Sequence, residues 1–195
     1  IKSYRKRFEL KINRINNILK KNIKYNKKEV IDALKSSTNF YLAYQGMNNI
    51  DLQKKYSQLI EKLTKKIYPN FHKKKRINKK AKRIKIGFVS SFFKNHSVSK
   101  IFKNWILRLD KKIFETFVYY CDNEFDQTTK KIKRSVNNYF AHTNLENILS
   151  QIDKDELNIL VYLDIGMNPK IQILGSLRLA TVQCVAMGHP VTSGF

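Results

Sequence analysis

The chain has 195 residues, of which 42% are hydrophobic and 12% aromatic; such a composition excludes wholesale disorder and suffices for one α/β domain with a smaller helical piece around a proper core. No apolar run approaches the roughly 18 residues of a membrane span and nothing resembles a secretory leader, so no membrane partner is expected. The formal net charge of +24 is unevenly spread, with 25 Lys+Arg against 5 Asp+Glu in residues 1–83 and 14 against 10 in residues 84–195.

Apolar residues Tyr4, Phe8, Ile12, Ile15 and Leu19 recur every three or four positions and predict a first helix to Lys20. A shorter helix is expected over Lys28–Leu34. A third runs from about Asp51 to Tyr68, with Leu52, Tyr56, Leu59, Leu63 and Ile67 on one face and Pro69 ending it. No self-similarity appears at the roughly 34-residue spacing of tetratricopeptide units. Residues 1–70 therefore read as a helical lead-in. Residues 71–82 read as a basic linker, whose densest stretch is Lys73-Lys-Lys-Arg-Ile-Asn-Lys-Lys-Ala-Lys-Arg83. Such a run binds phosphate backbones or acidic surfaces, or is simply solvated in a protein rich in Lys, Asn and Ile throughout. No aromatic platform interleaves it, which argues against single-stranded nucleic acid.

From residue 83 to 195 strands and helices alternate. Ile84–Ser90 reads as a strand, followed by a helix presenting Val98, Ile101, Phe102, Trp105, Ile106 and Leu109, with Ser97 as its expected N-cap. Phe114–Tyr120 is a second strand. Asp126 is placed to cap a helix reaching about Val136, with a short strand near Tyr139–Phe140. Thr143-Asn-Leu-Glu146 matches a capping box opening a helix to about Ile152. Leu157–Leu163 is strand-like, Asn168 and Pro169 open another helix, and Thr181–Met187 is a fifth strand. This alternation implies a Rossmann-like, doubly wound parallel sheet. The dinucleotide fingerprint is absent after the first strand, so no nicotinamide or flavin cofactor is expected.

Ligands of such sheets collect at the carboxyl ends of the strands. His96 precedes a helix N-terminus whose positive end favours the neutral imidazole, a form suited to accepting a proton near physiological pH. Ser90 and Ser91, with free backbone amides, suit a phosphate or a sugar hydroxyl. His189 occupies the corresponding place after the fifth strand. It lies between Gly188, which permits close backbone approach, and Pro190, which stiffens the turn; Thr192, Ser193 and Gly194 add hydroxyls and amides. Asp164, ahead of Gly166 and Met167, faces the same rim, whereas Asp155 should lie at the far end. His72 and His142 read as ordinary surface or linker residues. Cys121 and Cys184 read as buried reduced thiols of a cytoplasmic protein. No Cys/His spacing matches a zinc site, and no metal is expected.

The segments Arg83-Ile-Lys-Ile-Gly-Phe-Val-Ser-Ser-Phe-Phe-Lys-Asn-His-Ser-Val-Ser99 and Asp164-Ile-Gly-Met…Leu177-Arg-Leu-Ala-Thr-Val-Gln-Cys-Val-Ala-Met-Gly-His-Pro-Val-Thr-Ser-Gly194 resemble the O-linked N-acetylglucosamine transferase/SPINDLY-type glycosyltransferases. The likeness is closest to the bacterial branch. Asn39-Phe-Tyr-Leu-Ala-Tyr-Gln-Gly-Met-Asn48 adds a weaker likeness. The resemblance implies the first lobe of a two-lobed GT-B enzyme that transfers a sugar, N-acetylglucosamine or a hexose, from a UDP donor to a protein side chain. Such transfer inverts the sugar's stereochemistry and needs no metal or cofactor. It further implies His96 and His189 as catalytic residues. Substrate contacts are implied for Ser90, Ser91, Phe93 and Asn95, for Asp164, Gly166 and Met167, and for Gly188, Pro190, Thr192, Ser193 and Gly194. The second lobe, which would hold most of the UDP, lies outside these residues. Ile1 in place of methionine and Phe195 within a predicted loop suggest a piece of a longer protein, inactive alone. Ser99 stands where the family usually has glycine, so a less close approach of ligand to that helix start is expected. The alternative reading is a basic module that binds nucleic acid or an acidic partner without catalysis.

Overall fold

The computed structural model describes residues 1–21, 26–36, 38–73, 75 and 82–195. Helix α1 (Lys2–Lys20), α2 (Lys27–Ser36) and α3 (Ile50–Ile67) form the lead-in, with a 3-10 turn at Phe40–Gln45 between the last two and another at Pro69–His72 after them. The predicted apolar stripes explain their packing. Ile12 of α1 is buried, and Phe8 meets Tyr56 of α3 with ring centroids 5.7 Å apart. Most of the predicted basic run lies outside the described residues. Of its described members, Lys75 pairs with Asp153, and Arg83 donates to the Lys111 carbonyl at 3.2 Å.

Five strands follow: β1 (Ile84–Ser90), β2 (Phe114–Tyr120), β3 (Asn138–Ala141), β4 (Ile159–Tyr162) and β5 (Val182–Val185). They form one all-parallel sheet in the order β3-β2-β1-β4-β5. Helices α4 (Ser97–Leu107) and α5 (Gln127–Ser135) cover one face, where Phe102, Ile106 and Ile132 pack on Phe88, Val118 and Tyr120. Helices α6 (Leu145–Asp155) and α7 (Pro169–Gly175) cover the other, where Ile148, Ile152 and Ile171 join Val89, Phe117 and Tyr119. This is the expected doubly wound α/β fold. The order reverses at β1, so its carboxyl end and that of β4 diverge into the crevice where such sheets bind ligands. The lead-in shares the second core. Ile31, Ile67 and Tyr68 belong to it, and the Tyr68 hydroxyl donates to Glu146 at 3.0 Å.

Three local expectations change. The N-cap of α4 is His96 rather than Ser97: its backbone is extended, and its Nδ1 accepts from the Val98 N–H at 3.2 Å. The cap of α6 is Asn144 rather than Thr143, because the Asn144 side-chain Oδ1 accepts from the Asn147 N–H at 3.0 Å. Cys121 is a buried free thiol as expected, but Cys184 is exposed because β5 lies at the edge of the sheet.

Candidate active site

The crevice floor is built where β1 and β4 end. Ser90, Ser91 and Asp164 are buried there, with Asp164 fully enclosed. The Ser91 N–H donates to Asp164 Oδ2 at 3.3 Å, and the Ser90 hydroxyl also bonds this carboxyl while accepting from the Phe92 N–H at 2.9 Å. Burial pushes the Asp164 carboxyl up to about 7, against the opposing pull of the two serines. Asp164 Oδ1 and Ser91 Oγ make no hydrogen bond with the protein. Buried polar atoms are almost always paired, so these two, on residues joined by the Ser91 N–H bond, are exceptions that call for an explanation.

Above this floor runs the β1–α4 loop. His96 is half-buried, and its ring stacks on Phe92 at 4.2 Å. Because Nδ1 accepts the capping bond, the neutral ring carries its proton on Nε2 and presents a donor. Burial, then Lys94 and Lys100, hold its pKa below the usual histidine value. Phe93 is fully buried against Tyr120 and serves packing. The backbone of exposed Asn95 donates to Asp126 at 2.5 Å. Ser99 turns inward, its hydroxyl donating to the Phe92 carbonyl at 2.6 Å. The serine that replaces the family's glycine therefore closes the loop from within and does not project toward a ligand.

His189 occupies a different setting. It is 4% exposed, stacks on Phe40 with centroids 4.9 Å apart, and places Nε2 3.3 Å from the Phe40 carbonyl. That carbonyl accepts, so Nε2 carries the proton and Nδ1 the lone pair. Burial lowers the pKa of this histidine, with the Phe40 bond opposing. Two glycines let the β4 and β5 loops interlock around it. Gly166 has φ +93°, and a Cβ there would lie 2.6 Å from His189 Nδ1; one on Gly188 would lie 1.9 Å from the Leu163 carbonyl oxygen. Met167 follows Gly166 and returns its N–H to the Asp164 carbonyl at 3.1 Å.

Beyond exposed Pro190 the chain leaves the rim. Thr192 is exposed, the Ser193 carbonyl accepts from the Ser57 hydroxyl of α3, and Gly194 sits tightly on the Gln53 carbonyl. The structure thus brings Ser90, Ser91 and Asp164 together at the carboxyl ends of β1 and β4, places His96 in the loop after β1 against Phe92, and sets His189 against Gly166 of the turn after β4. Ser193 and Gly194 lie against the lead-in, while Thr192 is exposed and accepts from the Gly194 N–H at 3.3 Å. A cavity of about 190 Å³ on the β5 side, lined in part by Glu61, Arg178 and Ser193, touches neither histidine. Among the described residues, no three His, Cys, Asp or Glu side chains cluster as metal ligands would.

Sequence reasoning missed Phe40, whose segment carried only the weaker family likeness, and Lys170. The Lys170 ammonium donates to the Cys121 carbonyl at 2.9 Å and the Thr143 carbonyl at 3.1 Å, tying the ends of β2 and β3 to α7. Neither contact has a local signature. No described helix is long and apolar enough to cross a membrane.

Comparison with curated protein sequences finds no match. Among solved structures, a mutant of the Thermobaculum terrenum O-GlcNAc transferase superposes with a TM-score of 0.64 at 16% identity, covering 96% of this chain and 35% of that one. At that identity the likeness shows the fold, and the chain spans about a third of that transferase's length. The sequence model described as glycosyl transferase family 41 matches residues 5–195, lead-in and sheet together. Its span takes in both the crevice residues and the 3-10 turn that covers His189, and on that ground the chain belongs to glycosyl transferase family 41.

Proposed function

We propose that this chain forms the acceptor-side lobe of an enzyme that passes a sugar from a UDP donor to a protein side chain, with inversion and without a metal. A second lobe holds most of the donor. The observation that carries the reading is that Asp164 Oδ1 and Ser91 Oγ are buried without a partner where β1 and β4 end, the switch point of the sheet, with His96 in the loop that follows β1.

Chemistry assigns the roles. The acceptor hydroxyl or amide forms the new bond to the anomeric carbon as the bond to the departing diphosphate breaks, and its proton must leave. His96 cannot take that proton at Nε2 while its Nδ1 caps α4; it donates instead, to a sugar or phosphate oxygen. Asp164, whose Oδ1 has no partner among the described residues, is assigned as the proton acceptor, a role that requires the loops enclosing it to open for the acceptor group. His189, enclosed by Phe40 and Gly166, supports the turn that carries Asp164.

The test is UDP release from UDP-N-acetylglucosamine and UDP-hexoses by the whole protein. His96→Ala and Asp164→Asn are each expected to lower the rate at least ~100-fold, the scale of a lost acid–base or charge-stabilising group. Undiminished release in both variants overturns the assignment. Release unchanged in His189→Ala removes that residue from the working site.

A further inference from the structure

The loop between β1 and α4 is restrained at nearly every residue. The Phe92 carbonyl accepts from Ser99 Oγ at 2.6 Å. The Phe93 carbonyl accepts from Thr129 Oγ1 at 2.7 Å. The Lys94 ammonium bridges Asp122 Oδ2 at 3.0 Å and Glu124 Oε2 at 2.6 Å. The Asn95 N–H donates to Asp126 Oδ2 at 2.5 Å. For residues 93–95 each of these anchors comes from the segment that leaves β2 and opens α5, whereas Ser91 and Phe92 are held by Asp164, Ser90 and Ser99. Its capping box is closed by Asp126 and Thr129: Oδ1 accepts the Thr129 N–H at 2.9 Å, and Thr129 Oγ1 accepts the Asp126 N–H at 3.2 Å.

A capping box needs only one carboxylate oxygen and one hydroxyl acceptor site. Here the second oxygen of Asp126 and the proton of Thr129 Oγ1 are both spent on the neighbouring loop. The buried Thr129 hydroxyl has two acceptors in reach, Asp126 Oδ1 at 3.1 Å within the box and the Phe93 carbonyl at 2.7 Å in the loop, and the shorter contact goes to the loop.

We propose that Asp126 and Thr129 are positioning residues for His96. Through one carboxylate oxygen and one hydroxyl proton, the first turn of α5 holds residues 93–95. It thereby fixes where the imidazole that follows them points its Nε2–H. Nothing in the capping of α5 itself calls for these two bonds. This inference rests on the reading of His96 as a substrate-contacting donor, but its structural half stands apart from any catalysis.

Asp126→Asn separates the two duties. The amide oxygen keeps the cap on Thr129, while its NH₂ faces the Asn95 N–H, and two donors cannot bond. Thr129→Ser retains both hydroxyl roles, whereas Thr129→Val loses them. The experiment measures amide hydrogen exchange and the imidazole ¹⁵N signals of His96 in the whole protein, together with kcat and KM for UDP release. In Asp126→Asn the Asn95 amide should exchange at least ~10-fold faster while the Thr129 amide is unchanged, and the His96 nitrogens should lose their single Nε2–H pattern. The value of kcat should fall ~10-fold or more with KM for the donor little changed; Thr129→Ser should behave as the parent and Thr129→Val as Asp126→Asn.

Unaltered Asn95 exchange, or an undisturbed His96 ring despite faster exchange, overturns the proposal. If the parent itself releases no UDP, the glycosyl-transfer reading fails, and the exchange and ¹⁵N readouts still decide the clamp.

Discussion

Among the described residues Asp164 makes no ion pair; its carboxyl is hydrogen-bonded by the neutral Ser90 and Ser91. Its carboxyl moves from an ordinary 3.8 to about 7 on folding. Between those values the folded protein holds a proton that the unfolded chain has released, so stability declines as pH rises through this window, and the penalty is complete above about 7. Asp164→Asn removes the ionisation. It should stabilise the fold by roughly 2–4 kcal/mol above pH 7 and by little near pH 4. Urea denaturation at the two pH values checks this, and equal gains at both would contradict it. His96 yields a second separation. His96→Ala should cost about 1 kcal/mol through the lost cap of α4, and His96→Asn should restore that stability, because Asn is a favoured cap. Neither should restore UDP release, since the Asn side chain is consumed by the cap. Denaturation midpoints read beside turnover distinguish the two duties.

At the scale of elements, the bounds of β1 and β2 were readable from apolar runs flanked by charge and turn residues, and Asp126 and Asn168 from ordinary cap chemistry. The α4 cap was not. Serine outranks histidine as a capping residue, and only the extended backbone of His96 (ψ 156°) brings Nδ1 to Val98. Of the crevice, Ser90, Ser91, His96 and Asp164 could be placed on one rim because parallel strands share a carboxyl end. The enclosure of His189 could not, for its partner Phe40 lies 149 residues away along the chain. The interlock of the β4 and β5 loops is a matter of backbone room. In Gly188→Ala the added methyl meets the Leu163 carbonyl at 1.9 Å, so the loop must shift or the strand end must open. A loss of roughly 2–4 kcal/mol is expected, with UDP release falling as the Asp164 turn is displaced. Thermal unfolding of the variant tests it, and a midpoint equal to the parent's would show that the loop has slack.

In the molecule as a whole, charge and architecture answer different questions. The alternative reading gave the cation-rich residues 1–83 a separate binding role, yet described side chains of that region are tied to α6 and to the chain beyond β5. Tyr68 reaches Glu146, Lys75 reaches Asp153, and Ser57 with Gln53 of α3 cradles the chain at Ser193 and Gly194. A compositional boundary near residue 83 is thus not a mechanical one.

The stacking of Phe40 on His189 has a practical corollary for anyone trimming this protein. Expressing residues 83–195 alone would strip the aromatic lid from the imidazole and lay bare the side of α7 on which α2 sits, together with the part of α6 that Tyr68 reaches. Such a fragment should bind a hydrophobic dye and precipitate where the longer chain stays clear. The leading helices thus behave as the wall of the house rather than its porch.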